Sequence, residues 1–133
     1  MSSDFEPGRN IAMKVPAHEY ESTVAFYRDV LGFQPIQGQA LSSTDSVRFA
    51  FGDKVLWIDK VPTLSQAEIW LEVVTTNLVD AARQLEDHGC CRRDEIETLP
   101  EGFKGFWVSS PANIIHLVAE SAVDTGNGGP GQP

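Results

Sequence analysis

The chain carries one structural plan twice, and this constrains the fold more than any other feature. The first copy opens on an alternating segment, Asn10–Val15 (N-I-A-M-K-V), with Ile11, Met13 and Val15 on one face. Period two marks a half-buried strand. Pro16 stops it. From about Glu19 to Leu31 the residues Tyr20, Val24, Tyr27, Val30 and Leu31 recur at helical spacing, and Gly32 follows as a C-terminal stop. Phe33–Ile36 reads as the start of a second strand, bent by Pro35. Ser46–Phe51 alternates, with Val47, Phe49 and Phe51 on one face, and a Gly52-Asp53 turn leads into a strand over Val55–Asp59.

The second copy follows a connector at Pro62–Ala67. Glu68–Val74 reads as a strand and Leu78–His88 as a helix, with Leu78, Ala81, Ala82 and Leu85 inward, Asn77 as its cap and Gly89 as its end. A short strand is expected around Asp94–Ile96, and two more over Phe106–Ser109 and Asn113–Ala119. The spacings of the two copies agree. Gly32 lies 22 residues after Asn10 and Gly89 lies 21 after Glu68; Trp57 lies 47 after Asn10 and His116 lies 48 after Glu68.

Composition bounds the classes of function. At 133 residues and 14.6 kDa the chain suggests one domain. Its net charge of −9 argues against nucleic acid, which is bound by basic stripes, and against an anionic membrane surface. No apolar run is long enough for a membrane span, and the N-terminus lacks the pattern of a secretory signal, so a cytoplasmic protein is expected. Cys90 and Cys91 are adjacent, a geometry that strains a disulfide, and are read as reduced thiols. Residues 1–8 read as a lead-in, and 121–133, rich in glycine and proline, as a flexible tail.

The segments N-I-A-M-K-V, T-V-A-F-Y-R-D-V-L-G-F and S-P-A-N-I-I-H-L-V-A-E resemble the vicinal oxygen chelate superfamily, the group of glyoxalase I, bleomycin-resistance proteins, fosfomycin-resistance enzymes and extradiol dioxygenases. The resemblance covers about residues 9–120. It implies an α+β fold of two βαβββ modules, about 9–61 and 67–120, whose curled mixed sheet forms a concave cup with helices on its outer face. It also implies a homodimer and a divalent metal in the cup. The ligand positions of that family map onto Asn10, Trp57, Glu68 and His116.

This set departs from the family's pattern. Asn10 is a poor ligand for transition metals, and the Trp57 indole nitrogen only donates. Glu68 and His116 remain, with Asp59 as a possible third ligand on the Trp57 strand face. The expectation is therefore a protein without a resident metal.

Alternation assigns the rest of the cup. If Ile11, Met13, Val15, Leu56, Ile58, Ile69, Leu71, Val73, Ile115 and Leu117 are core, then Asn10, Lys14, Trp57, Asp59, Glu68, Trp70, Glu72 and His116 face the other way, as do Ile114 and Val118. Two tryptophans among convergent polar groups describe a small-molecule pocket, although aromatics also anchor dimer interfaces. Glu68 beside His116 would make a proton-transfer pair. Lys14 is expected to pair with Glu72 or Asp59.

Three functions follow. The first is a metal-independent protein of the bleomycin-resistance kind, binding an aromatic or cationic small molecule through Asn10, Lys14, Trp57, Asp59, Trp70 and Glu72. The second is an enzyme of the same superfamily (a lyase, isomerase or dioxygenase) using Glu68 and His116, with or without a divalent metal. The third is a homodimeric accessory domain with a vestigial cup.

Overall fold

A computed structural model describes residues 5–36 and 45–121. In chain order the elements are β1 (Phe5–Val15), α1 (Ala17–Ala25), β2 (Ser46–Phe51), β3 (Lys54–Lys60), β4 (Glu68–Thr75), α2 (Leu78–Asp87), β5 (Cys91–Arg92), β6 (Gly105–Ser109) and β7 (Ile115–Glu120). The strands hydrogen-bond in the order β2-β3-β1-β4-β7-β6-β5, a mixed and open sheet with two helices, so the fold is α+β. The chain divides into two compact units, Arg9–Leu71 and Met1–Gly8 with Glu72–Pro133. No helix among the described residues is long and apolar enough to cross a membrane.

In the unit Arg9–Leu71, β1 runs parallel to β3 and β3 antiparallel to β2. The alternating apolar residues do what their spacing requires. Ile11, Met13, Val47, Leu56 and Ile58 meet Tyr20 and Val24 of α1 in one core, where Phe49 and Ile58 are fully buried. Burial of one such side chain contributes about 1.5–3 kcal/mol. The β2–β3 hairpin turns at Gly52, whose φ of 68° lies in the left-handed region.

The helix expected up to Leu31 is regular only to Ala25. It ends in a π-helical turn over Phe26–Val30, in which the Leu31 amide donates to the Phe26 carbonyl at 2.9 Å. The wider turn leaves Phe26 and Val30 exposed while Tyr27 packs on the core beside Phe33 and Phe49. The strand expected at Phe33–Ile36 reduces to a single bridge between Pro35 and Phe49. Proline has no amide to donate to a ladder.

In the other unit, β7 pairs antiparallel with β6 and β6 with β5. Ala81 of α2 packs on Phe106, Val108 and Val118, with Phe5, Val73, Leu78 and Leu85 around them. Asn77 caps α2 as its position suggested, its Oδ1 accepting from the Asp80 amide at 3.0 Å. Two boundaries differ from expectation. Residues 5–8 of the expected lead-in belong to β1, and the short strand lies at Cys91–Arg92 rather than Asp94–Ile96. Both cysteines are free thiols. The expected tail lies beyond Ser121, outside the described residues.

Candidate functional site

The polar residues of the unit Arg9–Leu71 converge on the sheet face turned away from α1. Register explains why. With Ile11, Met13, Leu56 and Ile58 committed to the core, Asn10 and Lys14 must point to the opposite face, beside Trp57 and Asp59. Ser46 stands opposite Asp59 and Arg48 opposite Trp57 on the neighbouring strand.

These side chains are mutually engaged. The Trp57 indole N–H donates to Asn10 Oδ1 at 2.8 Å, and the Arg48 guanidinium lies 5.3 Å from the centre of the Trp57 ring. Lys14, 4% exposed, donates to Asp59 Oδ2 at 2.7 Å, and Ser46 donates a short hydrogen bond to Asp59 Oδ1. The same ammonium sits 4.4 Å from the centre of the Trp70 ring. Trp70 is buried, and its indole N–H donates to Glu68 Oε1 at 2.8 Å. Asp59, one of the two partners expected for Lys14, forms an ion pair with it.

Arg48 and Ser46 were not singled out from the sequence. The signal was present, since S-V-R-F alternates and places both opposite the core residues Val47 and Phe49. Among the described residues no carboxylate pairs with Arg48. Both Arg48 and Trp57 are half-buried, so part of each is open to a ligand.

One expectation about β4 is corrected. Ile69 and Leu71, read as core, are 40% and 38% exposed. Of that alternating row only Val73 packs into a core, the one beneath α2. Glu72 belongs to the other unit, where its side chain lies against buried Gly8: a Cβ on Gly8 would stand 2.6 Å from Glu72 Cγ.

The face assigned to β7 is also corrected. Val118 packs with Phe106, Val108 and Ala81, so the α2 side of β7 carries Val118 and, two residues earlier, His116. Register agrees, with Val108 opposite His116 and Phe106 opposite Val118. The physical reason is that Ile115–Ala119 is apolar at every position but His116, so alternation does not settle which parity faces the core, and the packing of Val118 does. Glu68 belongs to the unit Arg9–Leu71 and His116 to the other. His116 Nδ1 hydrogen-bonds the Ile114 carbonyl at 3.1 Å.

The donor set does not fit a divalent metal. Asn10 Oδ1 accepts the Trp57 N–H, Glu68 Oε1 accepts the Trp70 N–H, and both oxygens of Asp59 are engaged by Lys14 and Ser46. Among the described residues no three His, Cys, Asp or Glu side chains are grouped to hold a metal ion.

No protein-family model and no curated protein sequence matches the chain at a significant level. Solved structures do match in fold. A Mn(II)-bound glyoxalase from Novosphingobium aromaticivorans superposes with a TM-score of 0.62 at 21% identity, over 89% of this chain and 40% of its own. Homoprotocatechuate 2,3-dioxygenase from Brevibacterium fuscum, in complex with 3,4-dihydroxyphenylacetate, matches with a TM-score of 0.58 at 16% identity, over 90% of this chain and 37% of its own. A hypothetical protein from Bacillus halodurans matches over its whole length and 96% of this chain, with a TM-score of 0.58 at 10% identity. The chain thus spans less than half the length of the glyoxalase and the dioxygenase it resembles.

Proposed function

For a chain with the fold of the vicinal oxygen chelate superfamily, we propose a small-molecule-binding function that requires no resident metal, with Trp57 and Arg48 as the contact surface. The observation that carries this reading is the pair itself: a half-buried indole, oriented by Asn10, with a guanidinium over its ring and no carboxylate on that guanidinium among the described residues. An indole face and a planar cation together recognise a flat aromatic ring bearing a negative group.

The chemistry separates the two ligand classes named from the sequence. A cationic ligand would compete with cations already in place, because Arg48 lies over Trp57 and Lys14 over Trp70. An aromatic acid is complementary to both Trp57 and Arg48. A neighbour of the same fold binds 3,4-dihydroxyphenylacetate, a molecule of this class. Lys14 and Asp59 are paired with each other, and their part in this reading is to support the floor of the site.

Calorimetric titration tests the reading, with 3,4-dihydroxyphenylacetate, neutral phenylacetamide and cationic benzyltrimethylammonium as probes. The acid binds best, and Arg48→Gln weakens it about tenfold or more, the loss of one charge-assisted contact. Preference for the cation, or no binding of the acid, overturns it.

A second reading, an accessory domain that binds no ligand, draws on the saturation of Trp70, Glu68, Lys14 and Asp59 by one another. The same titration separates the two, since that reading expects no heat from any probe.

A further inference from the structure

The correction of His116 leaves this residue lining a cavity that plays no part in the function proposed above. The cavity measures about 220 Å³ and lies within the unit of Glu72–Pro133 and the start of β1. Its walls are almost wholly apolar, with Phe5, Val73 and Leu85 among them, and His116, Ser110 and Cys90 also belong to the lining. An apolar cavity of about 150 Å³ is large enough for benzene, so this one accommodates a substituted ring.

The polar groups narrow the ligand further. A carbonyl only accepts, so in the neutral ring the hydrogen bond to Ile114 fixes the proton of His116 on Nδ1. Nε2 is then the ring nitrogen available to a ligand, and it accepts. Ser110 Oγ accepts the Ile114 amide proton at 3.2 Å, which leaves the hydroxyl proton to be donated. The turn between β6 and β7 holds both groups in place: the Ser110 amide donates to the Ile114 carbonyl at 2.9 Å, and Asn113 takes the left-handed φ of 66° that closes the loop. One acceptor and one donor among the lining residues of an apolar cavity match a single hydroxyl group.

We infer that this cavity is a binding site for a neutral one-ring phenol, its O–H donated to His116 Nε2 and its oxygen accepting from Ser110. Neither a charged ligand nor a larger ring system suits the size and lining of the site. Cys90 reports on occupancy, because its thiol lines the cavity while the adjacent Cys91 is exposed.

The test uses p-cresol and toluene, which differ only by the hydroxyl group, on the full chain carrying Cys91→Ser. Binding is followed by the NMR signals of the His116 ring and by the rate of Cys90 alkylation with iodoacetamide. The expected result is saturable binding of p-cresol, slower alkylation of Cys90 at saturation, and affinity for toluene lower by about tenfold, the scale of a hydrogen bond made in an apolar site. His116→Leu should bring p-cresol down to the affinity of toluene. Equal affinities for the two probes, an absence of saturation at His116, or unchanged alkylation would overturn the inference. The comparison of probes stands even if the His116 variant does not fold.

Discussion

The indole N–H of Trp57 on β3 donates to Asn10 Oδ1 on β1 at 2.8 Å, between parallel strands whose register sets Ala12 opposite Trp57. The bond fixes the orientation of the indole and so presents its ring to Arg48. Asn10→Ala removes the acceptor without touching either contact group. Stability should fall by about 1 kcal/mol, and affinity for an aromatic acid by several-fold. Denaturant unfolding and calorimetry of the variant read both quantities, and an unchanged affinity would show that Trp57 is held by packing alone.

Lys14 and Asp59 form a pair whose two members are unequally buried, with side chains 6% and 15% exposed. Removing one partner of a part-buried pair is destabilising, because the hydrogen bond and the attraction between the charges are lost together. Asp59→Leu removes the acceptor of both the Lys14 and the Ser46 hydrogen bonds, so it should destabilise more than Lys14→Met, which leaves Asp59 its bond from Ser46. The double substitution should recover most of the loss. Chemical denaturation of the three variants checks this order.

Tyr20 is 7% exposed, and its hydroxyl has no hydrogen-bond partner among the described groups. Tyr20→Phe should stabilise the protein by about 1 kcal/mol, the lower end of the cost of a buried unsatisfied group. Burial foremost, then the carboxylates of Asp45, Asp59 and Glu21, raises the Tyr20 pKa above its ordinary value of 10.0. The unfolded chain therefore ionises first, so stability present below pH 10 is lost as pH rises from there through the folded value. Melting curves between pH 8 and pH 11 should show a shallower alkaline decline in Tyr20→Phe.

Gly8 is buried, and a Cβ placed on it would meet Glu72 Cγ at 2.6 Å and Cδ at 2.7 Å. Gly8→Val should cost about 1–3 kcal/mol through overpacking. Pairing it with Glu72→Ser should restore part of that loss. Equal melting temperatures for the single and double variants would contradict this explanation.

Most of the fold could be read from the chain because its signals agreed with one another. Ile11, Met13 and Val15, and later Val47 and Phe49, alternate as half-buried strands do, and each lies in the core expected of it. Asn77 announced α2 by its capping chemistry. The face bearing Asn10, Lys14, Trp57 and Asp59 followed from the same alternation. His116 did not, because an apolar row on β7 can be read in two parities. Ile115–Ala119 is apolar at every position but His116, so alternation has no polar face to anchor it. Only the packing of Val118 on Ala81 decides the matter. Ile69 and Leu71 misled for a related reason: an apolar row fixes a shared face but says nothing of what covers it.

The most direct test of the central claim follows the three tryptophan indole N–H signals by two-dimensional 15N NMR during titration with 3,4-dihydroxyphenylacetate. Trp57 lies at the proposed contact, whereas the Trp107 indole is tied to the Glu97 carbonyl at 2.9 Å in the other unit. The account predicts a saturable shift of the Trp57 signal, an unmoved Trp107 signal, and loss of the Trp57 response in Arg48→Gln. A Trp57 signal that stays in place while the acid binds elsewhere, or that moves equally in Arg48→Gln, would contradict it.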